Sequence, residues 1–108
     1  MATVYKILGQ KASSANTEYI LYTVPTTYAV ASSITVCNRG STATTFRIAL
    51  NVTGATTTTK DYLYYEVPIG PYDTFIATVG LTLSQGDTVK VYSTSNNLSF
   101  QLFGSEIS

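Results

Sequence analysis

Apolar and polar residues alternate with period two along most of this 108-residue chain, and no stretch carries a convincing helical period. The clearest run places Phe46, Ile48, Leu50 and Val52 on one face and Thr45, Arg47, Ala49 and Asn51 on the other. Residues 4–8 predict a first strand that Gly9 ends, and the small polar stretch 11–17 predicts a connection. Residues 19–24 are apolar on both faces and stop at Pro25, which predicts a central strand or one covered on its outer face. In 30–38, Val30, Ile34 and Val36 share one face, with Ala31, Ser33, Thr35 and Cys37 on the other.

Farther along, 61–67 form an aromatic strand, with Leu63, Tyr65 and Val67 opposed to Tyr62, Tyr64 and Glu66. Residues 75–79 put Phe75, Ala77 and Val79 on one side. A Gly86-Asp87 turn leads into strand 89–94, and Asn96-Asn97 predicts a tight hairpin loop before strand 98–104. Asn38-Arg39-Gly40-Ser41 reads as a turn, Pro68 to Asp73 as a rigid corner, and the threonine-rich stretch 54–59 as an exposed loop. About eight short strands at 8–12-residue spacing predict an all-β fold. The expected architecture is one antiparallel β-sandwich or jelly-roll-like domain over 1–108, with 1–8 an extended N-terminal arm or an edge strand.

Charge changes this picture most. Only 11% of residues are charged, against about 25% in ordinary domains, and six basic residues balance six acidic ones. Hydrophobic content of 44% excludes disorder. Without a basic cluster to neutralise phosphates, nucleic acid is not an expected partner. No stretch approaches the ~20 apolar residues of a membrane span, so no membrane is expected either. The N-terminal residues lack the pattern of a signal peptide, which points to synthesis in a cytoplasm without secretion.

Candidate chemistry is sparse. The chain has no histidine, which excludes His-based triads and His-containing zinc sites. Cys37, the single cysteine, is expected to be a small buried hydrophobe. Asp61 and Glu66 stand five apart and fall on opposite sides of a strand, while Asp73 and Asp87 suit turns that accept backbone N–H groups. The sequons at Asn51 and Asn97 are expected to be coincidental. No catalytic, metal or cofactor site is expected.

Nine tyrosines remain. Tyrosine buries area while keeping a polar handle, and low charge suits a surface held in permanent contact. The candidate interface residues are Tyr19, Tyr22, Tyr62, Tyr64 and Tyr72. A carbohydrate platform is the other use of such rings, and β-strand preference alone accounts for many of them.

The segments 21–25 (LYTVP), 33–39 (SITVCNR) and 45–48 (TFRI), with 80–91 (GLTLSQGDTVKV) and 98–104 (LSFQLFG), resemble small virion proteins of tailed bacteriophages. The resemblance covers most of the chain from Tyr19 onward and implies a particle component without catalysis. Such proteins include capsid decoration (cement) proteins, commonly trimers, and short modules of tails, necks and fibres. A single neutral domain with no recognition insertion ranks decoration first and a tail, neck or fibre module second. The implied partners are further copies of itself, as a trimer, and the major capsid protein, and the implied location is the virion. A carbohydrate-binding adsorption module is the third expectation.

Overall fold

The computed structural model describes residues 2–108, in which eight strands form two four-stranded antiparallel sheets. The strands are β1 (Thr3–Ala12), β2 (Thr17–Thr23), β3 (Tyr28–Asn38), β4 (Thr44–Asn51), β5 (Tyr62–Ile69), β6 (Thr74–Ser84), β7 (Thr88–Ser93) and β8 (Leu98–Ile107). Sheet A has the order β1-β8-β3-β6 and sheet B the order β2-β7-β4-β5. First pairs with last, second with seventh, third with sixth and fourth with fifth. That is one long hairpin rolled across two layers, a jelly-roll-like β-sandwich.

Only the β4–β5 connection joins neighbours in one sheet; every other connection passes between layers. The Asn96-Asn97 segment is therefore a crossover from sheet B to sheet A, and the expected tight hairpin there is corrected. Segment 2–8 lies mainly in β1, an edge strand paired with β8 from Thr3 opposite Ile107 to Ala12 opposite Ser99. Met1, the first residue of the expected arm, lies outside the described residues.

The core forms where the two sheets face each other. Phe46, Ile48, Val89 and Val91 of sheet B meet Ile34, Val36, Phe100 and Leu102 of sheet A, all essentially fully buried. Phe46 sits between Phe75 at 5.1 Å and Phe100 at 6.3 Å, both rings inclined to it, as aromatic quadrupoles favour.

Bulges decide which residues reach this core, because one extra residue reverses the face of everything beyond it. In β2 the register slips between Ile20 and Tyr22, so Tyr19 lies opposite Val91 and Tyr22 opposite Val89, both on the inner face. The two-sided apolar look of 19–24 comes from this bulge, and β2 is an edge strand rather than a central one. In β3 a slip between Ala31 and Ser33 turns Ala31 inward and Val30 outward, away from Ile34 and Val36. Cys37 is half-buried on the outer face of sheet A, between Thr74 and Ser99, and is not a core residue. Val52 leaves β4 for a short 3-10 turn and is 73% exposed. The side expected for Phe75, Ala77 and Val79 is found, within a strand that runs on to Ser84.

Candidate functional site

The tyrosine strand β5 is where local irregularity builds a surface. Phe46 pairs with Val67 and Ile48 with Tyr64, so one residue of β4, Arg47, spans two of β5, Tyr65 and Glu66. Glu66 takes a positive φ of 52° to make this possible. The expected faces are corrected accordingly: Tyr64 and Val67 pack on the core, with Tyr64 edge-on to Phe75 at 5.3 Å. Tyr62 and Tyr65 share the outer face, their rings edge-on at 4.8 Å.

Arg47 organises that outer face. Its guanidinium carbon lies 4.5 Å from the Tyr65 ring centre and 4.8 Å from that of Tyr92, with Tyr62 at 6.0 Å. Its Nε donates to Glu66, whose other oxygen accepts from the Thr45 hydroxyl at 2.9 Å. The Arg47 hydrogen bond, followed by that of Thr45, holds the Glu66 carboxyl below its ordinary value. Beside this cluster, Tyr62 and Tyr65 with Thr57, Thr58 and Thr59 line an open groove of about 620 Å³.

The outer face of sheet A is built differently. The strands of sheet A contain three charged residues, Lys6, Lys11 and Glu106, and all three reach towards sheet B. Lys6 pairs with Glu106 at 3.3 Å, Glu106 accepts from the Tyr22 hydroxyl at 2.6 Å, and Lys11 lies 4.4 Å over the Tyr19 ring. The outer face of all four strands is left uncharged. On it Tyr5 is 83% exposed and Ile76 69%, with Ile7 and Tyr28 about half exposed. Tyr5, Ile7, Val30, Ser32 and Phe103 border a shallow depression of about 640 Å³, with Lys6 also in its lining.

The five expected interface tyrosines do not gather in one place. Tyr19 is half-buried and donates to Ser14 Oγ at 2.8 Å. Tyr22 is buried at the sandwich end, where burial and then the Glu106 hydrogen bond push its hydroxyl well above the usual phenol range. Tyr64 faces the core, Tyr62 belongs to the Arg47 cluster, and Tyr72 stands exposed in the β5–β6 turn. Tyr5, Tyr28, Tyr65 and Tyr92 lie outside the expected set, and the absence of outward charge along β1, β3, β6 and β8 marks the first two.

The carboxylates of the turns behave as expected. Asp87 accepts the backbone N–H groups of Ser84 and Thr53, each at 2.9 Å, and Asp73 accepts that of Thr74 at 2.8 Å. Among the described residues no three His, Cys, Asp or Glu side chains gather as metal ligands.

The fold defines a class, two-layer antiparallel sandwiches of jelly-roll-like order. No protein-family model matches the sequence, and no curated protein matches it significantly. Among solved structures, the chain is similar to a pentameric capsid protein isolated from metagenomic phage sequences, with 20% identity and a TM-score of 0.41. The match covers 97% of this chain and 61% of that one, so this chain spans about three fifths of its length. A likeness this loose assigns no function.

Proposed function

We propose that this chain is a non-enzymatic structural protein of a bacteriophage particle, most specifically a capsid decoration protein whose sheet A rests on the shell. The observation that carries the reading is the uncharged outer face of sheet A, with Tyr5, Ile7, Tyr28 and Ile76 exposed across it. Depletion of charge, with tyrosine and large aliphatic side chains exposed among uncharged polar ones, is the compositional mark of an interface centre. The resemblance of segments between Tyr19 and Gly104 to small virion proteins supplies the particle.

The test is copy number per purified virion, measured by quantitative mass spectrometry against the major capsid protein. Decoration requires on the order of hundreds of copies on a symmetric lattice. About a dozen moves the chain to the neck, tail or fibres, and absence from particles refutes the reading.

The groove between Tyr62, Tyr65 and the threonines 57–59 favours a second reading, a carbohydrate-binding adsorption module. It requires saturable binding to host surface polysaccharide that Tyr65→Ala abolishes.

A further inference from the structure

The two flanks of the sandwich are closed differently, by backbone approach at β1 and β2 and by side chains at β5 and β6, where Tyr64 packs edge-on to Phe75 at 5.3 Å. β1 and β2 approach each other closely along their backbones, and no comparable approach joins β5 and β6. Of the half-buried apolar residues packed against the core, Leu50, Tyr64, Val67, Phe75, Ala77 and Leu81 belong to β4, β5 and β6, towards the β5–β6 flank. Only Tyr19 belongs elsewhere.

The strand bordering this flank in sheet A is the one edge strand of the four without a charged residue. Free strand edges invite pairing, and natural sheets blunt them with charge, proline, bulges or brevity. β1 carries Lys6 and Lys11, and β2 is seven residues long with Glu18 and a bulge. β5 carries Glu66 at positive φ and Pro68. β6 runs eleven residues, TFIATVGLTLS, with no charge and no proline. Its one register shift lies near the middle, where Val79 and Gly80 stand opposite Ser32.

We infer that β6 is a homotypic edge at which a second copy of this chain pairs antiparallel, joining two A sheets into one eight-stranded sheet. The occupant follows from self-complementarity. Pairing about the middle of the strand brings Phe75 near Leu83 and Ala77 near Leu81 of the other copy on the inner face. On the outer face it brings Ile76 near Thr82, and no charge meets any of these residues. Eleven residues give a flank about 36 Å long. Two sheets and their side chains make it about 20 Å across, or about 700 Å², close to the ~800 Å² per partner of a stable interface. The arrangement is two-fold, in place of the three-fold grouping that the resemblance implies, and it does not rest on the particle reading.

The experiment is sedimentation of the purified chain across a concentration series, beside Thr78→Lys. Thr78 is exposed on the outer face, so the substitution leaves the core intact. It sets two lysines diagonally across the new pairing, at strand positions about 7–8 Å apart. The parent is expected at twice the 11.6 kDa chain mass, and Thr78→Lys, with an unchanged circular-dichroism spectrum, at the single-chain mass. The dissociation constant should rise about tenfold or more. A parent that stays monomeric, as it would if the flank awaits an extended segment of another protein, overturns the inference. So does any oligomer that Thr78→Lys leaves intact.

Discussion

Replacing Tyr22 by Phe removes one oxygen from the polar cluster that ties the two sheets together at the end of the sandwich. The Tyr22 hydroxyl of β2 donates to Glu106 Oε2 of β8 at 2.6 Å, and Lys6 holds Oε1 at 3.3 Å. The Glu106 side chain is only 11% exposed, so water replaces the lost donor poorly. A hydrogen bond to a charged group contributes about 1.5–3 kcal/mol. Because Lys6 keeps the carboxylate paired and the ring stays buried, the expected loss is at the lower end, about 1.5–2 kcal/mol at pH 7. In a domain of this size that lowers Tm by about 6–16 °C.

The pH dependence carries the sign. The Tyr22 hydrogen bond, ahead of the Lys6 contact, holds Glu106 below its ordinary 4.5, so its stabilisation is present above that value and fades as pH falls through the lowered one. Tyr22 titrates above its ordinary 10.0, so its share is present below that value and fades as pH rises beyond it. Urea unfolding of parent and Tyr22→Phe should differ by the full amount at pH 7 and by much less at pH 2. Equal stability at pH 7, or a difference that persists undiminished at pH 2, would refute the assignment.

Two further substitutions probe places where backbone leaves no slack. Gly104→Ala would put its Cβ 2.0 Å from the Val30 carbonyl oxygen and 2.9 Å from Ala31 Cα; the expected cost is about 3 kcal/mol, and a thermal melt within about 2 °C of the parent would contradict it. Asn38→Ala removes bonds from Nδ2 to the carbonyls of Thr42 (2.9 Å) and Gly70 (3.0 Å) and from the Gly40 N–H to Oδ1 (2.9 Å). The Gly70 carbonyl keeps the Asp73 N–H at 3.3 Å, so two backbone groups lose their partner near the 1%-exposed side chain; denaturant titration should show a loss of about 2 kcal/mol, and less than about 0.5 kcal/mol would contradict it.

Strand positions were legible because half-buried strands alternate, and Phe46 and Ile48 in β4 or Phe75 and Ala77 in β6 show that pattern without interruption. Faces were lost wherever a bulge intervened. Tyr19 and Tyr22 look opposed by counting and share the inner face, while Tyr62 and Tyr64 look alike and separate. The Arg47 cluster was hidden for the same reason, since Tyr65 and Glu66 are neighbours in sequence that only a bulge lets stand on one side. Sheet order was equally hidden: a short turn reads alike whether it joins strands in one layer or carries the chain to the other. The uncharged face of sheet A could have been found by listing where charges are missing, because that signal needs strand parity but no knowledge of pairing.

The rolled strand order also governs how this protein comes into being. Thr3 finds its partner at Ile107, and β2 and β3 likewise wait for β7 and β6. Only the β4–β5 hairpin can form from adjacent segments, and such non-local pairing makes folding slow, on the order of milliseconds to seconds. During synthesis β1 has no strand partner until β8 has left the ribosome. The continuous face of sheet A therefore exists only once β8, the last of the eight strands, lies between β1 and β3.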